Sequence, residues 1–258
     1  MDIYWLKQRE VDVPTADDWL SESEYVRLSS LRFAKRRADW RLGRWTAKCA
    51  VAALPSFHGD DLALKDIQIR AASTGEPEVT LPDSAPALTI SISHRAGAAV
   101  CAVTLGEAAL GCDLEAIESR SDAFIADYFT IEEQELIAHV SAEHRPLLMS
   151  LLWSAKESAL KALHVGLRAD TRSVVVSPFD PHGEWFGGVN GRVIAGSRSL
   201  QFSNASGSDW CPLQVHCADG TDFEGWWQHT GDLVLTMVAA PRPSAPIELR
   251  APVRAATI

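Results

Sequence analysis

The clearest hydrophobic pattern lies in residues 146–166, PLLMSLLWSAKESALKALHVG. Proline suits the first turn of a helix and glycine its end, so this segment predicts a single helix from Pro146 to Gly166. Five apolar residues recur at helical spacing and form one stripe: Leu148, Leu152, Ala155, Ala159 and Leu163.

The opposite face of this predicted helix is polar without being simply solvated. At about 100° per residue, Glu157 lies roughly opposite the apolar stripe, and Lys161 follows one turn later. Trp153 and Leu160 flank the two charged residues. A carboxylate and an amine beside a large aromatic side chain are unusual on a surface helix, so this face is a candidate for function.

Elsewhere the pattern predicts helices followed by antiparallel strands, twice along the chain, which is an α+β fold. In the first half, residues 29–54 indicate a long helix, and three strand-like runs at 88–93, 98–105 and 110–115 indicate a meander. Thr130 and Glu133 form a capping box that opens a helix in the second half. Strands are expected there at 173–176, 188–194, 199–202, 213–217, 223–228 and 233–239.

These elements predict two α+β halves of similar length and order, residues 1–115 and 116–240, although no repeat is evident at the level of residues. Residues 241–258 are rich in proline and alanine and are expected to form a flexible tail.

Composition narrows the class of protein. The 258 residues are 47% hydrophobic and 22% charged, and no apolar run approaches the ~20 residues needed to span a bilayer. No signal peptide is apparent, so a cytoplasmic protein without a membrane partner is expected. The five cysteines are scattered and form no C-x-x-C pair, which argues against a disulfide framework and against structural zinc.

The net charge of −10 argues against nucleic-acid binding, yet basic residues are concentrated in one predicted helix. Only Asp39 opposes them, so a specific anionic ligand or partner is one interpretation and a solvated basic face is the other. The basic residues of this segment are Arg32, Lys35, Arg36, Arg37, Arg41, Arg44 and Lys48.

Three further groups of residues are candidates for chemistry. Asp113 and Glu115 lie two apart on a predicted strand, so their carboxylates share one face and suit Mg²⁺; a solvated strand end is the alternative. Glu157 and Lys161 have an ordinary helical ion pair as their alternative. Ser93-His94-Arg95 ends a strand before a glycine-containing turn, where its amides and side chains could receive a phosphate; a hydrogen-bonded structural histidine is the alternative for His94.

The order of these groups resembles the 4′-phosphopantetheinyl transferases of the larger, pseudodimeric type, similar to the surfactin-synthetase activating enzyme. Two motifs carry the resemblance: Gly111-Cys-Asp113-Leu-Glu115 and Trp153-Ser-Ala-Lys156-Glu157-Ser-Ala-Leu-Lys161. Ser91-Ile-Ser93-His94 and the arginine-rich helix support it. The resemblance spans roughly residues 30 to 166.

The resemblance implies two similar subdomains related by pseudo-twofold symmetry and transfer of phosphopantetheine from coenzyme A to a carrier-protein serine, releasing 3′,5′-ADP. Asp113, Glu115 and Glu157 would hold Mg²⁺, Glu157 would also take the serine proton, and Lys161 with Lys156 would stabilise the pyrophosphate. The remaining phosphates of coenzyme A would be bound by Arg41, Arg44, Ser93, His94 and Arg95.

The implied partners are coenzyme A and an apo acyl- or peptidyl-carrier protein, and the implied state is a monomer. A non-catalytic paralogue that binds the carrier or coenzyme A is the alternative, as is another Mg²⁺-dependent phosphotransferase, although no Walker-type loop supports the latter. Many relatives have Gly-Lys-Pro where this chain has Gly75-Glu76-Pro77, and Ser-His-Ser where it has Ser93-His94-Arg95. We expect Arg95 to restore part of the positive field that Glu76 removes.

Overall fold

The structure is a computed structural model that describes residues 1–57, 62–82, 86–178 and 210–251. The chain divides into two compact units: the first unit comprises Asp2–Ala108 and the segment from Pro246 onward, and the second unit comprises Met1 and Ala109–Ala245. Of the helices in the described ranges, none combines the length and apolar composition that crossing a membrane requires.

The first unit packs a long helix, α2, on one sheet. The sheet has the order β11-β1-β5-β4, in which β1, β5 and β4 are antiparallel and β11 lies parallel to β1. β2 and β3 form a separate hairpin. The elements are β1 Tyr4–Arg9, α1 Glu22–Ser30, α2 Ala34–Ala52, β2 Gln68–Ala71, β3 Pro77–Thr80, β4 Leu88–Arg95, β5 Ala98–Leu105 and β11 Ile247–Glu248.

The second unit packs helix α5 on an antiparallel sheet of the order β6-β10-β9-β8-β7. The prediction of an α+β fold is confirmed. The elements are β6 Ala109–Ala116, α3 Asp122–Tyr128, α4 Ile131–His139, α5 Arg145–Ala162, β7 Val174–Ser177, β8 Cys211–Cys217, β9 Asp222–Thr230 and β10 Leu233–Ala240.

Strand β6 corrects two predictions. It was expected to be the third strand of a meander with β4 and β5, but it pairs along its whole length with β10, from Ala116 opposite Leu233 to Ala109 opposite Ala240. The expected boundary at residue 115 is therefore wrong, because the strand that carries Asp113 and Glu115 belongs to the second unit.

The carboxy-terminal segment differs from the predicted flexible tail. Ile247 and Leu249 donate backbone hydrogen bonds to Ile3 and Trp5, at 2.8 and 2.7 Å, and Leu249 is buried. These contacts make residues 247–249 part of the first unit. Residues 252–258 lie outside the described residues, and so do the strands expected at 188–194 and 199–202.

The boundaries of two helices also differ from the predicted ones. The helix expected from residue 29 begins at Ala34, because Leu31 and Phe33 have extended backbones between α1 and α2. Helix α5 ends at Ala162, before the expected Gly166. His164 takes the left-handed conformation, with φ of 57°, and Val165 N–H donates to the Leu160 carbonyl at 3.2 Å, which is a Schellman-type end.

The two units contain the same buried ion pair. In the first unit, Lys48 of α2 lies 2.6 Å from Glu24, whose other oxygen accepts a 3.1 Å hydrogen bond from the Ile69 N–H. In the second unit, Lys156 of α5 lies 2.9 Å from Glu133, whose other oxygen accepts a 3.1 Å bond from the Val176 N–H.

The sequence around these ion pairs repeats as well. Both glutamates are the third helical residue of a capping box, opened by Ser21 in one unit and Thr130 in the other. Both lysines end a Trp-(Ser/Thr)-Ala-Lys segment, which begins at Trp45 and at Trp153. The expectation that no residue-level repeat exists is therefore wrong: short, matched segments recur about 108 positions apart.

Candidate functional site

Strand β6 and helix α5 approach each other closely at Gly111. A methyl group at this position would lie 1.8 Å from the Ser158 carbonyl oxygen and 2.9 Å from the Ala162 nitrogen, so only glycine fits. Three serines on one face of α5 bind the facing strands. Ser150 donates to the Ala116 carbonyl at 2.9 Å, Ser154 to the Asp113 carbonyl at 3.1 Å, and Ser158 meets the Thr236 hydroxyl at 2.8 Å.

This close packing brings Lys161 onto Asp113. The ammonium of Lys161 donates to Asp113 Oδ1 at 2.7 Å and to the Cys112 carbonyl at 3.0 Å. Burial is the largest single effect and lowers the pKa of Lys161, but the charge and hydrogen bond of Asp113, together with Cys112 and Glu157, outweigh it, so the pKa lies above its ordinary value and the group is charged at neutral pH. The helical ion pair with Glu157, which was the alternative interpretation of this lysine, is thus not the contact that Lys161 makes.

Glu115 is held through both carboxylate oxygens. Trp153 Nε1 donates to Oε1 at 3.2 Å, and Arg120 Nη2 donates to Oε2 at 3.4 Å. Trp153 is itself fixed by edge-to-face contacts with Phe124 and Tyr128, at ring-centroid distances of 5.1 and 5.2 Å. The aromatic residue noted in the sequence therefore orients a carboxylate of the site.

The carboxyl of Glu157 titrates far from its ordinary pKa. Its pKa is raised to about 7, chiefly by burial and then by the negative charge of Asp113, with Lys161 opposing the shift and Glu115 adding a smaller part. The charges of Asp113 and Glu115 thus act on the Glu157 carboxyl, and the role of the three carboxylates as a metal-ligand set stays a prediction. A half-protonated carboxyl at neutral pH is suited to proton transfer.

The donor chemistry of these three carboxylates fits Mg²⁺, which prefers hard oxygen ligands. A cation among them would relieve the repulsion that raises the pKa of Glu157. As the side chains are placed, no three His, Cys, Asp or Glu residues in the described ranges form a group that could hold a metal ion. Basic side chains hold two of the carboxylates instead, Lys161 on Asp113 and Arg120 on Glu115.

Lys156 does not join this site. Its side chain has no exposed area, and its ammonium binds Glu133 and the carbonyls of Thr171 and Val174. Burial lowers the pKa of Lys156, and the facing Glu133 opposes that shift. Although it directly precedes Glu157, it points into the core of the second unit, so the expectation that it faces a pyrophosphate is corrected.

The Ser93-His94-Arg95 segment ends β4 in the first unit. A two-residue turn follows, in which Ala96 and Gly97 have φ of 51° and 71° and Arg95 pairs with Ala98. Ser93 is buried, whereas His94 is half exposed and lies 3.9 Å from Asp39 of α2. The structure therefore brings His94 to the basic helix.

Two arginines of that helix already contact other residues of the first unit. Arg41 lies 2.8 Å from Asp17 and donates to the Pro14 and Thr15 carbonyls. Arg44 lies over the Trp40 ring, 5.1 Å from its centroid, and burial lowers its pKa. Their predicted role in binding phosphate remains a prediction.

Arg120 is the site residue that the sequence analysis missed. It lies five residues after Glu115, in a loop where no helical or strand periodicity relates the two side chains. The signal available was its charge: it is the one basic residue between Glu115 and Phe129.

Comparison with known proteins adds the following findings. The 4′-phosphopantetheinyl transferase superfamily (ACPS) matches residues 109–207. A holo-[acyl-carrier-protein] synthase of Anoxybacillus flavithermus is 32% identical over 87 residues, which cover 33% of this chain and 72% of the relative. The superfamily match begins at the first residue of β6, the strand that carries Asp113 and Glu115.

Two solved structures of holo-(acyl-carrier-protein) synthases are also similar. The protein from Bacillus anthracis, in complex with CoA (3′,5′-ADP), is 22% identical, covers 40% of this chain and 94% of that chain, and has a TM-score of 0.35. The protein from Helicobacter pylori, in complex with coenzyme A, is 23% identical, covers 40% and 99%, and has a TM-score of 0.34.

Proposed function

Because the chain belongs to the 4′-phosphopantetheinyl transferase superfamily, we propose that it transfers the phosphopantetheine arm of coenzyme A to a serine of an apo acyl- or peptidyl-carrier protein, releasing 3′,5′-ADP. The observation that carries the proposal is the convergence of Asp113, Glu157 and Lys161 where α5 packs on β6. The presence of two similar units in one chain supports the larger type of transferase, acting as a monomer.

In this proposal Asp113, Glu115 and Glu157 hold Mg²⁺, which would neutralise the pyrophosphate and polarise the attacked phosphorus. Glu157, directly or through a water that it orients, accepts the proton of the carrier serine. The pKa of about 7 is that of the metal-free carboxyl; a bound cation would lower it, so that Glu157 is ionised and able to accept a proton near neutral pH.

Lys161 stabilises the leaving group in the proposed reaction. Its charge stabilises the negative charge that develops on the leaving 3′,5′-ADP, and its hydrogen bond to the Cys112 carbonyl fixes the direction of the side chain. His94, Arg95 and the basic helix are proposed to bind the other phosphates of coenzyme A.

A mass assay tests the proposal. The protein is incubated with coenzyme A, Mg²⁺ and each of several apo carrier proteins, and a mass gain of one phosphopantetheine arm is expected on at least one of them. Glu157→Gln should abolish the gain, whereas Glu135→Gln, at an exposed position of α4, should leave it unchanged. If no carrier gains mass while coenzyme A still binds, a non-catalytic binding paralogue is the better conclusion.

A further inference from the structure

Each strand carboxylate of the site faces a different cation, and the two cations differ in what else they can bind. Lys161 is fixed to Asp113 and to the Cys112 carbonyl at 2.7 and 3.0 Å. Arg120 instead lies between two carboxylates, 3.4 Å from Glu115 and 3.0 Å from Glu118. The guanidinium is therefore shared between a residue of the site and a residue outside it.

The surroundings of Arg120 allow it to move between these two partners. Its guanidinium lies over the Phe124 ring, 5.1 Å from the centroid, which holds the plane of the group without fixing one hydrogen-bond partner. Its Nε is buried and has no hydrogen-bond partner among the described residues. Glu118 is the nearer carboxylate and is 42% exposed, so it can adapt to a shifted guanidinium.

From this arrangement we propose that Arg120 is a positioning residue that is shared between Glu115 and Glu118 in the metal-free protein and passes wholly to Glu118 when Glu115 takes up a divalent cation. The inference rests on the proposed function, because it assumes a cation among Asp113, Glu115 and Glu157. Arg120 then keeps the acidic cluster partly neutralised before the cation arrives, and Glu118 removes the competing charge afterwards. Metal affinity is set by the balance between the two partners of Arg120.

The test measures Mn²⁺ affinity by the loss of the free-ion signal in electron paramagnetic resonance, with no substrate present. Arg120→Gln is expected to bind Mn²⁺ about two- to fivefold more tightly, and Glu118→Gln about two- to fivefold more weakly, the size of a partly exposed ion pair. In the double variant the effect of Glu118→Gln should largely vanish, because no guanidinium remains to be transferred. Arg145→Gln is the matched control, since Arg145 binds the Val140 and Ala138 carbonyls instead of a carboxylate of the site.

A general effect of charge predicts a different result. If Arg120 and Glu118 each changed Mn²⁺ affinity only through the long-range effect of its own charge, the two single effects would add in the double variant. That additivity would overturn the inference. An unchanged affinity in either single variant would overturn it too, and Glu118→Gln alone decides the matter should Arg120→Gln fail to fold. Failure of the unaltered protein to bind Mn²⁺ would instead refute the metal site of the proposed function.

Discussion

Replacing Lys156 by methionine is expected to destabilise the protein while leaving the folded molecules active. The ammonium lies 2.9 Å from Glu133 with no exposed area, and methionine would fill most of its volume. The change leaves the Glu133 carboxylate buried without its cation. Removing one partner of a buried ion pair costs about 3–5 kcal/mol.

The expected fall in melting temperature follows from that free energy. For a chain of this size, each kcal/mol lowers the melting temperature by roughly 2–4 °C, so a loss on the order of 10 °C should be seen by calorimetry. Turnover is then measured well below the transition. Lys161→Met, which removes a charge at the site instead of in the core, should abolish turnover at a smaller cost in stability.

Two further variants control for the position of the ion pair. Lys48→Met removes the matching cation of the first unit and should cost a similar free energy of unfolding, because Glu24 is equally buried. Glu133→Gln combined with Lys156→Met should regain part of the stability, since no charge is then buried alone. A Lys156→Met protein with an unchanged melting temperature and no turnover would refute the structural role of this lysine.

Three other outcomes are expected. Gly111→Ala should cost about 1–3 kcal/mol or more, measured by thermal unfolding, because the new methyl group would meet the Ser158 carbonyl at 1.8 Å; a stability within error of the unaltered protein would contradict this close approach. Arg95→Ala should raise the KM for coenzyme A with little change in kcat, and an unchanged KM would show that Arg95 does not compensate for Glu76. Chelation by EDTA should stop phosphopantetheine transfer and added Mg²⁺ should restore it, whereas persistent transfer in EDTA would exclude the proposed metal site.

Local features of the fold could be predicted because they depend on residues close in sequence. The capping box of Thr130 and Glu133 and the apolar stripe of α5 are both confirmed. The partner of β6 could not be predicted, because a strand followed by a short turn pairs with its neighbour in most cases. Here β6 pairs with β10, more than 110 residues later in the chain, and no local pattern records that choice.

The site divides in the same way. Asp113 and Glu115 share a strand face and Glu157 shares a helix face with Lys161, so spacing alone placed each pair. The direction of Lys156 was not accessible from its position beside Glu157, because its partner Glu133 lies 23 residues earlier and binds it through a tertiary contact.

The internal repeat distinguishes residues that both units share from residues that only the second unit carries. The closing pair of the β4–β5 hairpin, Arg95 with Ala98, corresponds to Thr230 with Leu233 in the β9–β10 hairpin. Counting from these pairs, Cys101 corresponds to Thr236, and the residues opposite them on the next strand are Leu6 and Asp113. The same count places Gln8 of the first unit at the position of Glu115.

On the helices, the Trp-(Ser/Thr)-Ala-Lys segments align Cys49 with Glu157 and Ala53 with Lys161. The positions of Asp113, Glu115, Glu157 and Lys161 are therefore uncharged in the first unit, while the buried lysine and glutamate are present in both. A residue needed only for chemistry has no reason to persist in the copy without the other site residues. The presence of Lys48 beside Glu24 thus supports a structural role for Lys156, and the four positions that differ are the ones to which the reaction is assigned.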